Sequence, residues 1–115
     1  MVLLAACSEG PTVATTPPRT ATLCPPFDEW ELPVQDGVVM YCDPRRLQLH
    51  YPPGRADRLG PLFRLAVRAE GWVEEMDSTA PGLVNVRYTQ EAEVLDLSAI
   101  DGIDHTSVIL TRVSP

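Results

Sequence analysis

One stretch constrains this chain more than any other: Ala56–Trp72, A-D-R-L-G-P-L-F-R-L-A-V-R-A-E-G-W. Leu59, Leu62, Phe63, Ala66, Val67 and Ala69 recur at steps of three and four. That spacing gathers them on one side of a 3.6-residue repeat and predicts an amphipathic helix. Asp57, Arg58, Arg64, Arg68 and Glu70 fall mostly on the other side, with Leu65 between the two. Asp57 is the expected N-cap, because its carboxylate can accept from the orphan amides of the first turn. Gly71 is the expected C′ residue, since it tolerates the left-handed conformation, and Trp72 then folds back on the last turn. Pro61 costs little only in a first turn, which predicts that the regular helix begins there.

Such a helix does not hold alone. Burying Leu59, Leu62, Phe63 and Val67 contributes roughly 1.5–3 kcal/mol each. Ordering the backbone costs about 1–2 kcal/mol per residue. The partner must be a sheet, because the other apolar segments alternate. Val38–Cys42 is a short strand after the Asp36-Gly37 turn. Leu47, Leu49 and Tyr51 alternate with Gln48 and His50. After the helix come Trp72–Met76, then Val84–Thr89, then Leu95–Ala99, then Ser107–Val113. The last four strands, joined by short links, predict an antiparallel meander. The fold class is therefore α+β, one helix on an antiparallel sheet in the order β-β-α-β-β-β-β.

With 115 residues, one domain is expected, here residues 27–115. A net charge of −7 argues against nucleic acid as a partner. The basic residues are all arginine, and Arg45, Arg46, Arg55, Arg58, Arg64 and Arg68 lie around the helix. Acidic residues dominate after it. The two can pair internally, or the arginines can form a patch for an acidic polymer or lipid headgroup.

Residues 1–7 read M-V-L-L-A-A-C. Leu4-Ala5-Ala6-Cys7 resembles the lipobox of bacterial lipoproteins. The resemblance implies that the Cys7 thiol carries a diacylglycerol and, after cleavage, its amine a further acyl chain. It implies a membrane partner through Cys7 and an extracytoplasmic location. There is no basic n-region, and the apolar run is only Val2–Ala6. Either the start lies upstream, or the match is accidental and the protein cytoplasmic. Residues 8–26 are rich in Pro, Thr and Ser without apolar period, and predict a disordered tether. Ser8, rather than Asp, after the cysteine points to the outer membrane in a two-membraned bacterium.

Cys24 and Cys42 remain, and in a secreted chain predict one disulfide. No metal or other cofactor is expected: His50 and His105, the two histidines, have no metal-like spacing to a cysteine. Nucleophile-elbow, P-loop, dinucleotide and H-E-x-x-H motifs are absent. Asp104-His105-Thr106-Ser107 holds an acid, an imidazole and hydroxyls, but triad members normally converge from separate segments. His105 is expected as a solvated loop residue, His50 as a surface residue and Glu74-Glu75 as a solvated strand end. No catalytic residue is assigned.

A helix ending in Gly71-Trp72 before a meander is similar in layout to small extracytoplasmic lipoprotein domains of the helix-grip kind. No functional residue carries over from that likeness. The leading expectation is a non-enzymatic, lipid-anchored module that binds another envelope protein. A small-ligand binder is the alternative, with Tyr51, Phe63, Trp72 and Tyr88 lining a pocket between helix and sheet, unless the four fill the core. A small inhibitor of an extracytoplasmic hydrolase is another, with Thr79–Leu83 as its protruding loop.

Overall fold

The structure is a computed structural model that describes residues 22–113. The alternating segments form strands β1 (Val38–Asp43), β2 (Arg46–Tyr51), β3 (Val73–Asp77), β4 (Leu83–Gln90), β5 (Glu93–Asp101) and β6 (Thr106–Val113). One helix, α1 (Ala56–Ala69), joins β2 to β3. The six strands make one sheet in the order β1-β2-β6-β5-β4-β3, every neighbouring pair antiparallel. β3 to β6 is the expected meander, and its last strand returns beside β2. β2 and β3 therefore run parallel at a distance, and α1 makes the crossover between them over β4, β5 and β6.

Period-two alternation decides which side chains meet the helix. Leu47, Leu49 and Tyr51 of β2, Val84, Val86 and Tyr88 of β4, Leu95, Leu97 and Ala99 of β5, and Val108 and Leu110 of β6 are all buried with Phe63. The opposite face of the sheet is open to water. The segment before β1 straps across one side of the core. Phe27, Trp30 and Leu32 are buried, with Trp30 against Phe27 and Trp72 at centroid distances of 5.1 and 6.1 Å. Leu23 and Cys24 also pack on the core, so residues grouped with the tether by composition belong to the folded body.

The helix departs from expectation at its start. It begins at Ala56, and Pro61 lies inside it. Asp57 is not the cap: Arg55 precedes the helix without a side-chain cap bond, and the Asp57 carboxylate accepts the Gly82 amide at 3.0 Å. The first turn is held from outside instead. Ala56 N donates to Asp101 Oδ1 at 2.9 Å, and Arg55 N donates to Thr106 Oγ1 at 2.9 Å. These bonds offset the ladder bond that Pro61 removes. Gly60 allows the close approach to the sheet, since a Cβ there would stand 2.5 Å from Val84 Cγ2. The C-terminus follows expectation: Gly71 has φ +92°, and Trp72 is buried.

Candidate functional site

Tyr51, Phe63, Trp72 and Tyr88 all belong to the hydrophobic core. They are 3%, 0%, 4% and 0% exposed and fill the interior. Tyr51 stands edge-on to Phe63 at 6.4 Å and donates its hydroxyl to the Pro33 carbonyl at 2.8 Å. Burial pushes both tyrosine hydroxyls above their usual pKa. The four are the large rings that a helix laid flat on a sheet needs as filler.

Apolar residues are also exposed on the outer side of α1, as they are at Val38, Val73, Met76 and Ile103 elsewhere. Phe63 and Val67 sit at the middle of the contact with the sheet. Leu62 falls about 100° round the helix from Phe63, and it is 45% exposed rather than buried. Leu65 points straight away from the sheet and is 64% exposed. Ala69, grouped with the buried stripe by spacing, is exposed too. Leu62, Leu65, Ala66 and Ala69 floor a groove of about 310 Å³, walled on the strap side by Trp30, Glu31 and Pro33 and closed by Glu70. On the far side of Leu65 a second recess of about 250 Å³ runs between Pro61, Arg64 and Arg68.

Charge is arranged unevenly along that face. Arg64 reaches back to the edge strand: Nε donates to Glu74 Oε2 at 3.1 Å, Nη2 to Oε1 at 2.8 Å, and Asp77 stands 3.4 Å away. These bonds hold the Glu74 carboxyl below the usual range, so Glu74 is half of an ion pair rather than a solvated strand end. Internal pairing of helix and sheet thus accounts for Arg64. Arg58 and Arg68 form no ion pair among the described residues.

The two histidines come together. His50 of β2 and His105 before β6 stack at 4.0 Å between centroids with a 20° interplanar angle. His105 Nδ1 is 2.7 Å from Asp104 Oδ1, and Gln48 Nε2 is 3.2 Å from His50 Nε2. His105 is a loop residue, as expected, but only partly exposed and stacked on His50. Partial burial, then the positive charge of His105, holds His50 below its ordinary pKa. Thr106 is turned away from this pair: its hydroxyl is buried and donates to Asp101 at 2.8 Å. Among the described residues no group of three or more His, Cys, Asp and Glu is placed to hold a metal ion.

The open sheet face carries a polar hollow of about 410 Å³ lined by Met76, Ser78, Asn85, Arg87, Asp96, Ser98 and Thr111. Four of its polar groups are paired with one another. Arg87 is bidentate to Asp96 at 2.8 and 3.0 Å, and Ser98 donates to Asn85 at 3.2 Å. Thr79–Leu83 is largely exposed, closed on itself by the Ala80–Leu83 bridge and joined to the body where Gly82 donates to the Asp57 carboxylate and accepts from the Asp101 amide. Cys24 and Cys42 are disulfide-bonded, as expected. Cys7 lies outside the described residues. No described helix is long and apolar enough to cross a membrane.

No family model matches this chain, and no curated protein or solved structure matches it either. The helix groove escaped sequence reasoning because Leu62 satisfies the buried period as well as Leu59 does. The available signal was Leu65, an apolar residue outside the stripe.

Proposed function

We propose that the chain is a lipid-anchored, extracytoplasmic, non-enzymatic protein-interaction module of the cell envelope, with the outer face of α1 as its docking surface. The observation that carries this reading is the exposure of Leu62 and Leu65, 45% and 64%, beside a groove walled by Trp30. Two neighbouring leucines held in water beside an apolar groove support a contact surface there. The Leu4-Ala5-Ala6-Cys7 lipobox and the following Pro- and Thr-rich stretch support the anchor. The Cys24–Cys42 bond supports an oxidising compartment. Two or three acyl chains on Cys7 make a lasting attachment, since each buried CH₂ adds roughly 0.8 kcal/mol.

Metabolic labelling with an alkyne fatty acid tests the anchor. The chain takes up label and sediments with membranes, and Cys7→Ser abolishes both. Absence of label from the unaltered chain refutes the anchor.

A further inference from the structure

We propose that the stacked pair of His50 and His105 is an acid-released clasp: it holds the β5–β6 turn against β2 while the His50 ring is neutral, and lets that turn and the first turn of α1 loosen once the ring takes a proton. The clasp lies away from the outer face of α1 and does not depend on how that face is used. Of the turn residues Gly102–His105, only His105 is not exposed, so its stack on His50 is where the turn is held to the neighbouring strand. The turn is otherwise closed on itself, with Gly102 N donating to the His105 carbonyl at 2.7 Å. At its two ends stand Asp101 and Thr106, the residues that hold the Ala56 and Arg55 amides at 2.9 Å. A turn that lifts from β2 therefore moves the two residues that fix the helix start.

A relay along β2 sets the proton state of His50. The Arg46 guanidinium has only donors, and its Nη2 donates to Gln48 Oε1 at 3.3 Å. That turns the Gln48 amide nitrogen, itself a donor, toward His50 Nε2 at 3.2 Å. His50 Nε2 must therefore accept, which a neutral ring with its proton on Nδ1 can do and a protonated ring cannot. Protonation sets N–H against N–H at Gln48 and stacks a positive ring on His105, 4.0 Å between centroids. The charged and titratable groups around His50 are Arg46 on its own strand, through Gln48, and His105 and Asp104 on the turn. Its partners across the ladder, Val38 on β1 and Ser107 on β6, carry no charge. Asp101 is engaged with the helix. The Asp104 carboxylate, bonded to His105, favours a proton on His50, but burial and His105 outweigh it.

The test is amide hydrogen exchange of the full chain carrying Cys7→Ser, at about pH 7.5 and about pH 5, with rates corrected for the intrinsic pH dependence of exchange. The Asp101 carboxyl, held below the usual range, keeps its charge at both values. Exchange that low urea leaves unchanged reports local opening rather than global unfolding. In that exchange the Arg55, Ala56 and Gly102 amides lose protection at the lower pH. The loss is up to about tenfold for each pH unit by which the His50 midpoint, read by NMR on the same sample, lies below that of a free histidine. His50→Gln, which takes no proton, makes the protection equal at both pH values. Gln48→Glu gives the protonated ring an acceptor, raises the His50 midpoint and keeps the turn closed at about pH 5. Protection of these amides that is the same at both pH values in the Cys7→Ser chain overturns the proposal. So does a loss that persists in His50→Gln, or one confined to urea-sensitive exchange.

Discussion

The Asp101 carboxylate accepts the Ala56 amide at 2.9 Å, so the only α-helix among the described residues is capped by a residue 45 positions further on. The same oxygen accepts the Thr106 hydroxyl at 2.8 Å, and that hydroxyl in turn accepts the Arg55 amide. The first turn of the helix and the β5–β6 hairpin are therefore tied together through one carboxylate. The Ala56 amide first, and the Thr106 hydroxyl next, hold the Asp101 carboxyl below the usual carboxylate range.

Asp101→Ala lowers Tm by several degrees, and Asp101→Asn, which keeps an acceptor, lowers it less. The charge effect has a definite window. A folded-state pKa below the unfolded value of about 3.9 means stabilisation that is complete above that value and lost as pH falls through the folded pKa. Thermal melts from pH 7 to pH 2.5 will show the gap between the unaltered chain and Asp101→Ala closing at the acid end.

The helix faces differ in energetic weight. Phe63→Ala, at a site with no exposure, destabilises by about 3–5 kcal/mol. Leu65→Ala costs less than about 0.5 kcal/mol, although both residues are apolar and two positions apart. Gly60→Ala costs about 1–3 kcal/mol by forcing a methyl against Val84. Urea denaturation of the three variants decides this; a Leu65→Ala loss equal to that of Phe63→Ala contradicts the orientation of α1.

The Cys24–Cys42 bond spans 18 residues and pins the strap to β1. Replacing both cysteines with serine destabilises by about 3 kcal/mol in the chain-entropy account. Phe27 and Trp30 are on the pinned segment, so tryptophan fluorescence is the probe that follows its loosening on reduction.

His50 is held below its ordinary pKa by burial and by His105. The folded state thus disfavours the proton. Stability is full above about pH 6.5, declines as pH falls toward the folded-state value, and changes no further from this group below it. An NMR titration places the His50 midpoint below that of a free histidine, and His105→Gln raises it. A midpoint unmoved by His105→Gln dissociates the stack from the shift.

At the β4–β5 hairpin, Glu91 takes a left-handed φ of +56°. Glu91→Gly relieves that conformation at some entropic cost and stabilises by about 0.5 kcal/mol, measurable in urea.

Much of the fold was legible in the chain because local pattern dictates it. Alternation at Leu47–Tyr51, Val84–Thr89 and Leu95–Ala99 marked the strands and their inward sides, and the three-four spacing of Leu59, Phe63 and Val67 marked the helix. Gly71 announced the helix stop, and two cysteines beyond Cys7 announced a bond. Each of these signals depends on residues within a turn or a pleat of one another. The strand order was not legible: nothing within β2 says that β6, rather than β3, lies beside it. The capping of Ala56 was hidden for the same reason, since Asp101 reads locally as the opening of a turn.

The tertiary structure alone decided which apolar residues remain in water. Leu59 and Leu62 obey the same period, yet one is 5% and the other 45% exposed. The difference arises because a flat sheet covers only part of a cylinder, and the strap ending at Trp30 and Pro33 covers only part of the remainder. The sequence by itself determined that a helix must lie on a sheet. How far the sheet and strap wrap round it, and hence where a surface for another molecule is left, depends on contacts between residues far apart in the chain.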